Sequence, residues 1–208
     1  MSTGPSPVPA DRPSALVGLV EMMARLRSEC GWKAAQTHRS LATHLLEETY
    51  EAIEAIEALE EGGDPDDLRE ELGDVLLQVY FHAAVAAEAG WFDIEDVAEG
   101  LREKLLRRNP HVFGDVQETD PVRINETWER VKAAEKQRTG LLDGLPLELP
   151  ALTRASKVLD RLERAGRTPV PSPVPDLGDQ LLALVAQARS EGLDAEQALR
   201  DAVRRASA

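Results

Sequence analysis

Cysteine, aromatic residues and long apolar runs are scarce in this sequence, and each shortage excludes a class of protein. The 208-residue chain has one cysteine, Cys30, which can form neither an internal disulfide nor a thiolate metal cage. Aromatic residues make up only 4% of the chain, whose alanine, leucine and glutamate favour packed helices over sheets. No apolar run approaches the roughly 20 residues that cross a membrane, and residues 1–14 lack the pattern of a signal peptide. We therefore expect a cytoplasmic protein with no membrane partner.

Positive charge is also in short supply. The sequence has 24 lysines and arginines against 38 aspartates and glutamates, which gives a net charge of −14. Because a nucleic-acid backbone requires a basic surface, this balance argues against a polymeric nucleic acid as partner. It does not exclude a single nucleotide, whose phosphates carboxylates can hold through metal ions.

The apolar spacing predicts helices throughout and hence an all-α fold, a helical bundle. Prolines mark residues 1–14 as a disordered tail and residues 166–175 as a linker. Between them, residues 15–165 are predicted to form one helical domain, and residues 176–208 two further short helices. The helices predicted within the domain are 15–28, 41–61, 66–88, 94–108, 121–138 and 151–165.

A short internal echo relates the two ends of the chain. Leu72-Gly73-Asp74 recurs as Leu177-Gly178-Asp179, in each case followed by an apolar helical pattern. The later copy has no counterpart of the helix predicted over 41–61. We therefore interpret residues 176–208 as a shortened, degenerate repeat without a metal site and with a structural role.

The predicted helix 66–88 carries almost no charge in its second half. Over residues 72–87 its only Asp, Glu, Lys or Arg is Asp74, and such a helix belongs in a core or at a subunit interface. At about 100° per residue, Glu71, Asp74, Gln78 and His82 lie within about 80° of one another. Carboxylates on such a helix need compensating charge.

The preceding helix adds negative charge. Glu47, Glu48 and Glu51 lie within an arc of about 100°, and the short connection to the next helix predicts an antiparallel hairpin. Facing stripes would bring five carboxylates into one groove, and hard oxygen ligands favour Mg²⁺ or Mn²⁺ over zinc. The alternatives are ordinary surface charge and, for Asp74, an arginine partner. The remaining glutamates of this helix are predicted to form a solvated face: Glu54, Glu57, Glu60 and Glu61.

These motifs resemble the all-α nucleoside triphosphate pyrophosphohydrolases, and among them the MazG family. Glu-Glu-x-x-Glu at residues 47–51 precedes Glu-x-x-Asp at residues 71–74, as in that family. Further similar segments are CGWKAAQTHRSL at 30–41, LLEETYEAIEAI at 45–56, LREELGDVLLQV at 68–79, KLLRRNPHVFGD at 104–115, WERVKAAEK at 128–136 and LPALTRASKV at 149–158.

The resemblance implies a metal-dependent hydrolase that converts (deoxy)nucleoside triphosphates to the monophosphate and pyrophosphate, in house-cleaning of the nucleotide pool. It implies that residues 15–165 are a MazG-like catalytic domain that functions as a homodimer with Mg²⁺. Glu47 would orient or deprotonate the attacking water. The implied metal ligands are Glu48, Glu51, Glu71 and Asp74, and the implied substrate contacts are Lys104, Arg108, Trp128 and Lys132.

The chain departs from the family pattern in two places: one loop, and the C-terminal region, where longer family members carry a second full domain with its own acidic cluster. Cys30-Gly31-Trp32-Lys33 stands where the family usually has Cys-Pro-Trp-Asp, which leaves base and sugar selectivity open. Two alternatives stand beside the main interpretation. One is a phosphoribosyl-ATP or dUTP/dCTP-specific pyrophosphohydrolase of the same fold, and the other is a non-catalytic acidic helical adaptor.

Overall fold

The computed structural model describes residues 14–135, 140–170 and 172–207, and all regular secondary structure within those ranges is helical. The all-α prediction is confirmed. The chain divides into two compact units, Met1–Val116 and Gln117–Ala208. This boundary falls inside the stretch 15–165, whose limits as one catalytic domain stay a prediction. The predicted tail lies outside the described residues except for Ser14.

The first unit contains six helices among its described residues. Four of them begin and end within three residues of the predicted positions. The other two, α2 and α6, are single turns that the sequence analysis did not predict, in segments where glycine or proline breaks the apolar period. The helices are α1 Ala15–Glu29, α2 Gly31–Ala34, α3 His38–Glu60, α4 Pro65–Glu88, α5 Ile94–Arg108 and α6 Pro110–Phe113.

Helices α3 and α4 form the antiparallel hairpin that carries the acidic residues. At the start of α3, the Thr37 hydroxyl accepts a hydrogen bond from the Ser40 amide at 3.2 Å, which satisfies a backbone donor at the helix end. The connection turns at Gly62, whose φ of +94° is accessible to glycine without steric cost. Asp64 then caps α4, with Pro65 as its first residue.

The core of the first unit joins α1, α3 and α4. Its buried centre consists of Met23, Leu41, Tyr80 and Phe81, and the Tyr80 hydroxyl donates to the Leu16 carbonyl at 2.9 Å. The face of α4 that points away from this core is apolar yet exposed in the single chain: Leu72, for example, has 52% of its surface accessible.

One prediction about α3 is wrong. Glu54, Glu60 and Glu61 are exposed as expected, but Glu57 retains only 6% of its accessible surface. A helical period shows which residues share a face, but it does not show which faces the rest of the chain covers.

The second unit contains four helices among its described residues: α7 Pro121–Glu135, α8 Ala151–Arg164, α9 Leu177–Ser190 and α10 Ala195–Ser207. The predicted extension of the helix over 136–138 lies outside the described residues. Helix α8 packs against both α9 and α10. None of the helices in the described part of the chain is long and apolar enough to cross a membrane.

The echoed aspartate has a structural position in the second unit. Asp179 donates its amide to the Asp176 carboxylate at 3.1 Å and accepts the Asp176 amide at 2.9 Å, forming the capping box of α9. Asp74, its counterpart, instead lies well inside α4. The same short motif therefore begins a helix in one copy and places a carboxylate on a helix side in the other.

Candidate active site

Three carboxylates from the α3–α4 hairpin converge on one point. Glu48 comes from α3, and Glu71 and Asp74 come from the facing side of α4. One oxygen of each lies within 4.8 Å of the other two, and all three residues are half-buried. Because residues three apart lie on one face of a helix, the Glu71–Asp74 spacing needs only a single acid from α3 to complete the group.

The electrostatic field at this cluster is negative. Burial raises the pKa of Glu48, and the charges of Asp74, Glu51 and Glu71 raise it further. Burial likewise raises the pKa of Glu71, together with the charges of Glu51 and Asp74. Glu51 therefore belongs to the same field. Mutual repulsion therefore disfavours the ionised form of this group, and a bound cation would offset that repulsion.

The donor set fits a hard divalent cation. Mg²⁺ binds carboxylate oxygens at about 2.0–2.1 Å, so two of its ligand oxygens lie about 3–4 Å apart. Oxygens within 4.8 Å of one another can reach that spacing through small side-chain rotations. Glu48, Glu71 and Asp74 could thus hold such an ion, with Glu51 beside them.

Glu47 differs from its neighbours on α3. It does not belong to the three-carboxylate group, and its Oε2 lies 3.1 Å from Nδ1 of His44. The Trp32 ring meets the His44 ring edge-on, with the centroids 6.1 Å apart. The His44–Glu47 contact was not predicted, although their spacing of three residues on a helix is a signal that could have found it.

The predicted polar stripe of α4 continues as a histidine pair. Nδ1 of His82 lies 2.8 Å from Nδ1 of His38, with the rings inclined by 10°. Burial lowers the pKa of His82, and so does the nearby His38. Gln78, between Asp74 and this pair, is buried. The His82 end of the stripe thus connects α4 to the start of α3. Because the two histidines lie 44 residues apart in the sequence, no local pattern could have predicted their contact.

The four predicted substrate contacts lie on two helices in different units. On α5, Lys104 is exposed whereas Arg108 is buried with 7% of its surface accessible. On α7 in the second unit, Trp128 is half-buried and Nζ of Lys132 lies 2.8 Å from Oε1 of Glu129. Their roles toward a substrate stay predictions.

Sequence comparison places the hairpin in a known family. Residues 36–113, which include α3, α4 and α5, match the MazG nucleotide pyrophosphohydrolase domain. The chain is 40% identical over 216 residues to the nucleoside triphosphate pyrophosphohydrolase/pyrophosphatase MazG of Thermotoga maritima, covering 90% of this chain and 80% of that protein.

Two further relatives bear the name nucleoside triphosphate pyrophosphohydrolase. The Escherichia coli K12 protein is 43% identical over 154 residues, covering 71% of this chain and 57% of that protein. The Mycobacterium tuberculosis protein is 40% identical over 196 residues, covering 93% of this chain and 56% of that protein. The chain thus spans little more than half the length of these two relatives.

The all-helical fold and the acidic hairpin define the class of the protein as an all-α nucleotide pyrophosphohydrolase. Within that class, the chain belongs to the MazG family.

Proposed function

We propose that this chain hydrolyses nucleoside triphosphates between the α- and β-phosphates, releasing a nucleoside monophosphate and pyrophosphate. The observation that carries the proposal is the convergence of Glu48, Glu71 and Asp74 within the segment that matches the MazG domain. Three relatives with activity-based names support the same reaction. The cellular role is nucleotide-pool house-cleaning, in the cytoplasm, where the substrates are made and consumed.

The metal is Mg²⁺, with Mn²⁺ as a substitute, held by Glu48, Glu71 and Asp74 together with Glu51. When bound, such an ion neutralises charge on the phosphates and on the leaving pyrophosphate, and it lowers the pKa of a coordinated water. The pKa of Glu48 supports this assignment, because the neighbouring side chains that raise it, in addition to burial, are all carboxylates. A substrate with about four negative charges needs that field reversed before it can approach.

Glu47 orients the attacking water and accepts its proton. Its Oε2 faces His44, so its Oε1 is the oxygen available to the water. Glu47 also directly precedes Glu48 in α3, which keeps the base beside the metal ligands without making it one of them. A positioned carboxylate base of this kind contributes about 10²–10⁴-fold to a rate.

The substrate is held by basic side chains and one aromatic ring. We assign phosphate binding to Lys104, Arg108 and Lys132, and nucleoside contact to Trp128. Lys132 then exchanges its Glu129 partner for a phosphate oxygen when the substrate binds.

We further propose a homodimer in which a second copy covers the apolar face of α4. Leu72 and Val79 on that helix are 52% and 37% exposed in the single chain, and burying the surface that each still exposes is worth about 1 kcal/mol per side chain. The dimer assembles from the predicted catalytic domain, residues 15–165.

The test is product analysis over a panel of ribo- and deoxyribonucleoside triphosphates with Mg²⁺. We expect monophosphate and pyrophosphate, and loss of both in Asp74→Asn and Glu51→Gln with helical content unchanged. Glu54→Gln, an exposed position on the same helix as Glu51, is the matched control and retains activity. Diphosphate and orthophosphate as products, or full activity in Asp74→Asn, would contradict the proposal. Turnover confined to dUTP, dCTP or phosphoribosyl-ATP would favour the narrower relatives of this fold.

A further inference from the structure

We propose that His44 is a positioning residue for the reaction, fixing the carboxylate of Glu47, and that Trp32 keeps His44 in place. The inference rests on the proposed function, because it assigns His44 a role only if Glu47 acts on the water. It concerns one hydrogen bond and one ring contact in the first unit.

The hydrogen bond has a defined direction. A carboxylate only accepts, so the 3.1 Å contact requires the proton to be on Nδ1 of His44. Neutral imidazole in that tautomer and imidazolium both meet this condition, so the contact does not depend on a change of charge.

The contact separates Glu47 from the acids around it. Glu48 and Glu71 lie among carboxylates whose charges raise their pKa values, whereas the carboxylate of Glu47 is bound by an N–H donor. An exposed glutamate samples several rotamers about three side-chain bonds, and a hydrogen bond to one oxygen restricts them. With Oε2 held, fewer positions remain for Oε1 beside Glu48, the next residue of the same helix.

Trp32 connects this arrangement to the loop before α3. Its ring meets the edge of His44 at 6.1 Å, and its carbonyl accepts from Nε2 of Gln36 at 3.0 Å. Arg27 of α1 in turn donates to the carbonyls of Lys33 and Gln36. The backbone of the short helix α2 is thus tied to α1, and the half-exposed Trp32 ring contacts one edge of His44.

The first test is His44→Ala, with kcat and KM measured separately. We expect kcat to fall about tenfold, part of the contribution of a positioned base, with KM changed less than twofold. His44→Asn should restore most of the rate, because its side-chain amide supplies an N–H at a similar reach. Arg25→Ala is the matched control, since it removes an exposed helical contact to Glu29 at 2.9 Å and should leave kcat unchanged.

The second test is a double-mutant cycle with Glu47→Gln. If His44 acts through Glu47, then His44→Ala costs nothing further in the Glu47→Gln background. Trp32→Ala should likewise lower kcat in the wild-type background and not in His44→Ala. Equal losses in both backgrounds, wild-type kcat in His44→Ala, or an effect confined to KM would overturn the inference. Absence of pyrophosphate release by the wild-type chain would instead contradict the proposed function.

Discussion

Replacing Glu48 by Gln should change thermal stability in opposite directions without and with Mg²⁺. In the metal-free chain, burial and three neighbouring carboxylates raise the pKa of Glu48, so ionised Glu48 destabilises the fold. One oxygen of Glu48 lies within 4.8 Å of one oxygen of Asp74, and two unit charges at that separation repel by about 1 kcal/mol under water-like screening. Removing the charge that faces Asp74 should therefore stabilise the metal-free chain by about 1 kcal/mol.

The size of this gain depends on pH in a defined direction. A carboxyl whose pKa is raised on folding carries its proton in the folded state at low pH, and its cost appears as the pH rises through that pKa. The stability difference between Glu48→Gln and the wild type should therefore vanish in acid and reach its full value at neutral pH.

With Mg²⁺ the order should reverse. A ligand at 100 times its Kd stabilises the folded state by about 2.7 kcal/mol, and about 0.4 kcal/mol remains if the variant binds about 100-fold more weakly. In a unit of about 100 residues, 1 kcal/mol shifts Tm by about 4–8 °C, so the wild type should gain about 10–20 °C.

The assay is calorimetry or thermal circular dichroism of both proteins in EDTA and in a Mg²⁺ series. Glu54→Gln, whose side chain lies on the exposed face of α3, should match the wild type throughout. A Glu48→Gln protein that is less stable than the wild type in EDTA, or that gains as much from Mg²⁺, would refute the assignment of a shared acidic site. So would a wild-type chain that Mg²⁺ does not stabilise, which is the result expected of an acidic adaptor.

Three further predictions concern stability away from the cluster. Arg27 lowers the pKa of Glu88 through their hydrogen bonds, so the pair stabilises the fold above the ordinary glutamate pKa, and that stabilisation is lost as the pH falls through the lowered pKa. Because Glu88 is half exposed, Glu88→Gln should lower the free energy of urea unfolding by only about 1 kcal/mol at pH 7. The same substitution should have no effect near pH 2. Burial lowers the pKa of His82, so the fold should lose stability as the pH falls below about 6.5, the pKa of histidine in the unfolded chain. His82→Asn should make the free energy of unfolding less dependent on pH in this range. An unchanged pH dependence would contradict the lowered pKa of His82. Asp176→Ala removes the cap of α9 and should cost about 1 kcal/mol in chemical unfolding while pyrophosphate release stays at the wild-type rate.

The sequence by itself determined the longer helices and the pairing of acids within α4. Apolar spacing located α1, α3, α4 and α5, because a helical period depends only on which residues are three or four apart. The same local geometry placed Glu71 and Asp74 on one face of α4. The capping box that Asp93 forms at the start of α5 is local in the same way, because capping involves only residues close together in the chain.

Only the tertiary structure decided how those faces meet. The rotation of α3 about its axis selects Glu48 for the cluster, whereas the sequence allowed all five acids to share one groove. It also buries Glu57, which the helical period had placed on a solvated face. The His38–His82 contact has the same origin. Helical period is set by backbone geometry within a few residues, but rotation and burial are set by packing between segments distant in sequence.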